Sequence, residues 1–248
     1  MMRPFILLLA IGMLFGISSP ALADETVSVK VGYQWLEADG KFSGNSGDTI
    51  NMDDLDYDKS EDFIGEIALH LGNSRLSFSY MPLDFSGKNA DVAFDFNGEN
   101  FTGSVDSKIK VKIYEAAYTY YLLNFDDLPT RFQLGVEGAI KYADGKVSVD
   151  SNDVPGLSEK VSGSLPIPTI GARSRIAFGD YFGVAARVGY MEYSDNHYLD
   201  LEGQIEFSPI PMVGAYAGYR YLDIDIDESD LYLNATFEGP FAGVFVRF

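Results

Sequence analysis

The chain has 248 residues, 18 Lys and Arg against 37 Asp and Glu, a formal net charge of −19, 14% aromatic residues and no cysteine. So acidic a balance argues against nucleic-acid binding, which needs basic groups to neutralise phosphates. The lack of cysteine excludes disulfides, thiol chemistry and thiolate metal sites.

Met1 to Ala23 carries Arg3 near its start, an apolar run from Phe5 to Ile17 and a small-residue exit at Ala21-Leu22-Ala23. This reads as a signal peptide over 1–23, with the mature chain at 24–248. The run is short of the roughly 20 residues that a membrane-spanning helix needs. Loss of Arg3 leaves 17 basic against 37 acidic side chains, a net −20. No later segment reaches about 18 continuous apolar residues, so any membrane crossing must be made by strands.

Ten strands follow in chain order. The first, about 26–36, puts Val27, Val29, Val31, Tyr33 and Trp35 on one face and Ser28, Lys30, Gly32 and Gln34 on the other. A polar connection follows from Glu37 to Asp58. The second strand, about 60–70, sets Phe63, Gly65, Ile67 and Leu69 against Asp62, Glu66 and His70, and Leu71-Gly72-Asn73-Ser74 forms a tight turn. The third runs from Arg75 with Leu76, Phe78 and Tyr80 outward, and its pairing extends through Val92 to Phe96 to a turn at Asn97-Gly98-Glu99-Asn100. The fourth, about 105–123, holds Tyr114, Ala116, Tyr118, Tyr120 and Leu122 in one phase and Ile109, Val111 and Ile113 in the other. Either a bulge resets it, or its upper part stands above the membrane; the second reading is preferred.

The fifth strand alternates Phe132, Leu134, Val136, Gly138, Ile140 and Tyr142 with Arg131, Gln133, Glu137 and Lys141. Asp144 to Gly163 reads as a third long polar connection. The sixth, about 164–178, contains Pro166 and Pro168, which place its upper end at a rim or bulge. The seventh, about 181–193, sets Phe182, Val184, Ala186, Val188 and Tyr190 against Arg187. The eighth sets Leu199, Leu201, Gly203, Ile205 and Phe207 against Asp200, Glu202, Gln204 and Glu206. The ninth sets Val213, Ala215, Ala217, Tyr219 and Tyr221 against Tyr216 and Arg220. An acidic run, Asp223 to Asp230, leads to the last strand, where Pro240, Ala242, Val244, Val246 and Phe248 share a phase opposite Gly243 and Arg247.

No apolar helix is available to cover these oily faces. The pattern therefore predicts an all-β, antiparallel transmembrane β-barrel of about 10 strands, with 8 or 12 as alternative counts. Lysine, arginine and glutamate stay off the lipid-facing phase, where one near mid-plane costs about 2–4 kcal/mol. Trp35, Tyr142, Tyr190, Tyr193, Tyr219 and Tyr221 fall at the outer boundary, and Phe178, Tyr181, Phe207 and Phe248 at the inner one.

The leader, the strand end Tyr219 to Asp223, the Gly239-Pro240-Phe241-Ala242-Gly243 entry and terminal Phe248 together resemble the small, largely uncharacterised outer-membrane β-barrel proteins of Gram-negative bacteria. The resemblance implies residence in the cell outer membrane, among its lipid and lipopolysaccharide. Val244, Val246 and Phe248 are similar to the signal read by the outer-membrane assembly machinery.

The inward set Glu66, Glu115, Glu137, Arg173, Arg175, Arg187, Glu202, Glu206 and Arg220 predicts an Arg–Glu network across the lumen, because charges there need partners to offset desolvation. Two roles fit such a network: bracing a filled barrel, or lining a narrow porin-like pathway in which Arg173, Arg187 and Arg220 attract anions. A third reading is a surface binding module acting through acidic external loops.

His70 near Ser77, Ser79 and Glu66, and His197 near Ser194, Asp195 and Asp200, can each be drawn as a base beside a hydroxyl. Neither belongs to a nucleophile motif, so no catalytic residue and no enzyme activity is expected. Asp53 to Asp58 and Asp223 to Asp230 lack the EF-hand glycine and twelfth-position glutamate, so no metal site or cofactor is assigned. A monomer with a structural or general envelope role is the leading expectation.

Overall fold

The computed structural model describes residues 26–43, 46–125, 130–179, 181–194, 196–210, 212–228 and 231–248, with the backbone alone at 90, 91, 227, 228 and 231. The proposed signal peptide lies outside the described residues, as do Pro129, Asp180, Asp195, Pro211 and Asp230 in or beside predicted turns. The elements are β1 (Val27–Ser43), β2 (Ile50–Asn51), a 3-10 turn (Asp53–Leu55), β3 (Ser60–Leu71), β4 (Ser74–Phe96), β5 (Glu99–Phe125), β6 (Thr130–Ser151), β7 (Ser158–Phe178), β8 (Phe182–Tyr193), β9 (Asn196–Ile210), β10 (Val213–Glu228) and β11 (Leu231–Arg247). Each long strand pairs antiparallel with the next, and β11 pairs with β1. The result is a closed barrel of ten strands, with β2 a two-residue addition along the far end of β1. Closure leaves no sheet edge in the lower barrel, which lipid would not tolerate. At the seam the start of β1 and the end of β11 bond each other, Phe248 N–H donating to Val27 at 2.8 Å.

β5 shows how the wall is built. From Tyr114 toward the end where β1 starts and β11 finishes, Tyr114, Ala116, Tyr118 and Tyr120 are exposed outside while Glu115, Ala117 and Thr119 are buried inside. Past Tyr114 the sides exchange character: Lys112, Lys110 and Lys108 face out, and Ile113, Ile109, Val105 and Phe101 are buried within. No bulge accompanies the exchange, since the ladders of β5 shift register only at Asn89/Val92 and Tyr121/Leu123. An apolar outer surface suits lipid and a polar one suits water, so the change marks the boundary between the two solvents. Tyr80, Tyr114 and Tyr142 stand side by side in register along it, with the first two rings 5.1 Å apart.

Above that boundary the barrel is filled by an apolar core. Leu36, Phe85, Phe101, Leu222 and Phe237 from the strands meet Ile50, Met52 and Leu55 from the connection after β1. The same connection covers the free edge of β4 above the last β3–β4 pair, Gly65↔Tyr80, with Asp58 N–H donating to Ser86 at 2.9 Å and Asp48 N–H to Asp95 at 2.8 Å. Much of the predicted Glu37–Asp58 connection is thus ordered strand and cap rather than solvated loop.

Two further expectations are corrected. Asp144 to Gly163 is mostly ladder: β6 and β7 pair without a shift from Thr130↔Phe178 to Asp150↔Ser158, and the turn occupies only the residues between. Its polar composition belongs to the outer face of strands standing in water. Asp223 to Glu228 is likewise the end of β10, paired with β11 through Glu228↔Leu231. Pro166 and Pro168 involve no bulge. They stand above Ile170↔Tyr190, the last β7–β8 pair, where one side of β7 has no ladder to supply with N–H groups. The turn between β4 and β5 fits its sequence closely, with Asn97 and Gly98 at φ 57° and 89°, the left-handed pair that a two-residue hairpin requires.

Candidate functional site

The lower lumen holds all nine charged residues predicted for it, drawn from seven strands. Glu137 of β6 accepts from Arg173 Nε at 2.7 Å, Arg187 Nε at 2.5 Å and Thr119 Oγ1 at 2.7 Å. Arg187 also reaches Glu115 at 2.6 Å and Asp200 at 3.7 Å. Nearer the termini, Glu206 gathers Arg175 at 3.0 Å, Arg247 at 2.5 Å and Lys30 at 3.5 Å. Arg220 pairs with Glu202, and Glu66 pairs with Arg75 at 2.7 Å.

Five members of these pairs were not in the predicted set: Lys30, Arg75, Lys141, Asp200 and Arg247. Lys141 is 2% exposed, pairs with Glu115 and lies 2.7 Å from Asp200. Its signal was the inward phase of its strand, which Asp200 shares on β9. Eight basic and six acidic side chains are joined in these pairs. Uncharged acceptors take part of the surplus: Arg220 Nη1 lies 3.4 Å from Gln34 Oε1 and 2.8 Å from Met81 Sδ.

Aromatic rings take up more of the lumen. Tyr216, Phe241 and Phe245 form a small buried cluster, and the Arg247 guanidinium lies 4.1 Å from the Phe245 ring centre. Glycines on facing strands make the room: a β-carbon on Gly243 would stand 2.7 Å from Cζ of Tyr216, and one on Gly218 would strike the Phe241 ring. Between rings and ion pairs remains a cavity of about 50 Å³ lined by Lys30, Glu66, Arg173, Glu202, Tyr216 and Arg220. That is room for a few water molecules.

Among the described residues, which do not include Asp195, neither histidine hydrogen-bonds a serine drawn beside it. His70 Nε2 is 3.4 Å from Ser28 Oγ on β1, while Ser77 accepts from Arg75 at 2.8 Å. The His197 ring packs 5.4 Å from Tyr190, and its Nε2 has no hydrogen-bond partner among the described residues. Of the assembly residues, Val244 lies on the outer face, 57% exposed, and Phe248 closes the β1–β11 seam. Among the described residues no group of three or more His, Cys, Asp or Glu is placed to hold a metal ion.

This architecture has solved counterparts. The outer membrane protease OmpT from Escherichia coli matches 93% of this chain over 99% of its own length, with TM-score 0.58 and 9% sequence identity. The attachment invasion locus protein Ail of Yersinia pestis covers 91% of this chain and 100% of its own at TM-score 0.44 and 13% identity. The translocator domain of the autotransporter NalP from Neisseria meningitidis covers 98% and 94% at TM-score 0.44 and 12% identity. No protein-family model and no curated protein matches the sequence. At 9% identity the likeness to OmpT is one of fold. The chain has the fold of outer-membrane β-barrel proteins, and its outer face carries the apolar band such a fold presents to lipid.

Proposed function

We propose that this protein is a monomeric, closed barrel of the Gram-negative outer membrane with a structural envelope role, exerted without catalysis or cofactor. The observation that carries the reading is the filling of the lumen at two levels. Ion pairs and aromatic rings occupy the membrane level, and the apolar core from Leu36 to Phe237 occupies the level above. An ion crossing it would have to leave water twice, once among paired charges and once among buried phenylalanines. The start of β1 and the C-terminus lie at one end, so delivery by a leader places the taller end outside the cell. Val244, Val246 and Phe248 are the residues for the assembly machinery to engage.

A narrow solute path is the second reading, favoured by the cavity beside Arg173 and Arg220. One experiment separates the two. The mature chain is refolded into planar bilayers, its folding verified by heat-sensitive gel mobility, and current is recorded in potassium chloride. Verified folded protein is expected to give no discrete conductance steps. Reproducible steps whose ion selectivity changes in Arg187→Glu would overturn the closed-barrel reading and support the path.

A further inference from the structure

The basic residues of this acidic protein are sorted by place. Six arginines enter lumenal ion pairs, whereas most lysines stand above the aromatic boundary. Five of those lysines share one surface. Past Tyr80, Tyr114, Tyr142 and Pro166, which lie side by side, the next three outward rows across β4 to β7 read Pro82-Lys112-Asp144-Ser164, Asp84-Lys110-Lys146-Ser162 and Ser86-Lys108-Ser148-Lys160. Twelve positions thus carry five lysines and two aspartates, in a chain whose formal charge is −19.

All five lysines are exposed. Lys110 meets Asp84 at 2.5 Å, while Lys108, Lys112, Lys146 and Lys160 enter no ion pair among the described residues. Lys110 and Lys146 stand directly opposite one another in the β5–β6 ladder. Like charges so placed destabilise a sheet, and an anion bound between them would reverse that term. The remaining positions are serines and one proline, too short to screen the ammonium groups.

Height identifies the anion. Along each strand these positions lie two, four and six residues beyond the tyrosine row, so at about 3.3 Å per residue and a strand tilt of about 40° they rise roughly 5, 10 and 15 Å above the tyrosine or proline at the foot of their own strand. That is the layer of the phosphorylated sugars of the outer leaflet. We propose that this lysine face of β5, β6 and β7 binds the phosphates of lipopolysaccharide, with the tyrosine row beneath it seated at the top of the acyl chains.

The inference rests on the outer-membrane reading above. Its test is the affinity of the refolded full mature chain, in detergent micelles, for purified lipopolysaccharide, measured by thermophoresis. The variant Lys108→Ser/Lys110→Ser/Lys112→Ser/Lys146→Ser is measured beside it, with Lys41→Ser/Lys59→Ser as a charge-loss control elsewhere. Folding of each is verified by heat-sensitive mobility, and all substituted side chains are solvent-facing. The quadruple variant is expected to bind about tenfold more weakly or worse, the control to bind as wild type, and dephosphorylated lipopolysaccharide to bind wild type no better than the variant binds the intact glycolipid. Equal affinity in the folded quadruple variant, or equal affinity for the dephosphorylated glycolipid, would overturn the proposal. Displacement by inorganic phosphate as effective as by lipopolysaccharide would also overturn it, in favour of a free-phosphate site. Wild type that never acquires heat-sensitive mobility would remove the barrel reading itself, a distinct failure.

Discussion

β5 on one side of Tyr114 and β5 on the other are the same strand with opposite sidedness. Toward the termini it is tyrosine outside and glutamate inside; away from them it is lysine outside and phenylalanine inside. Backbone geometry does not change across the boundary, so the solvent outside decides which phase is apolar. Lipid demands oil on the outer face and relegates polar groups to the lumen. Water permits charge on the outer face and allows the interior to pack as an ordinary hydrophobic core.

The largest effects come from breaking each filling by its own physics. Arg187→Met strands Glu115, Glu137 and Asp200 at the membrane level without their shared cation, and should cost about 3–5 kcal/mol. A fall in the denaturant midpoint of folded protein in micelles measures it, and an unchanged midpoint would mean that the ion pairs are replaced by water. At the upper level Phe85→Ala removes a fully buried ring that packs 5.5 Å from Phe237, again at about 3–5 kcal/mol. Here the loss should be local: protease should cut the taller end first, while the membrane-level barrel keeps its heat-sensitive mobility.

Next in size is a charge placed on the outer face. Ala116 lies outward within the lipid-facing stretch of β5, two residues from Tyr114, and Ala116→Arg should cost about 2–4 kcal/mol. Ser86→Arg, outward on β4 above the boundary, should fall within about 0.5 kcal/mol of wild type. Equal costs at the two sites would show that the boundary does not run along the tyrosine row.

How far these two regions could be read from sequence follows from the same contrast. Period-two alternation located the lipid-facing strands, and the opposed phases of Ile109–Ile113 and Tyr114–Leu122 already contained the boundary. Residues 144–163 were harder, because a strand with water on its outer face and Gly, Ser and Asp along it has the composition of a loop. The upper core is not legible in single strands for a related reason. Phe85 and Phe237 meet only after ladders far apart in sequence close the barrel, and single-strand periodicity does not record which inner faces converge. In the lumen, parity located the charged residues, but the pairing of Lys141 with Asp200 depends on the way the barrel wall brings β6 and β9 into reach across the lumen.

The smallest effect discriminates between fold and function in the lysine face. Lys146→Ser removes one of two ammonium groups facing each other across the β5–β6 ladder and leaves the Lys110–Asp84 pair in place. If these lysines served the fold, the change would lower stability. Relief of cross-strand repulsion instead predicts a gain of a few tenths of a kcal/mol, in micelles free of lipopolysaccharide and at low salt. Raising the salt should erase that gain by screening, and adding lipopolysaccharide should reverse its sign, because the ligand then stabilises wild type more than the variant. The comparison is read from paired denaturant midpoints. A loss of stability in ligand-free micelles would count against the idea that this face holds its charge for a ligand.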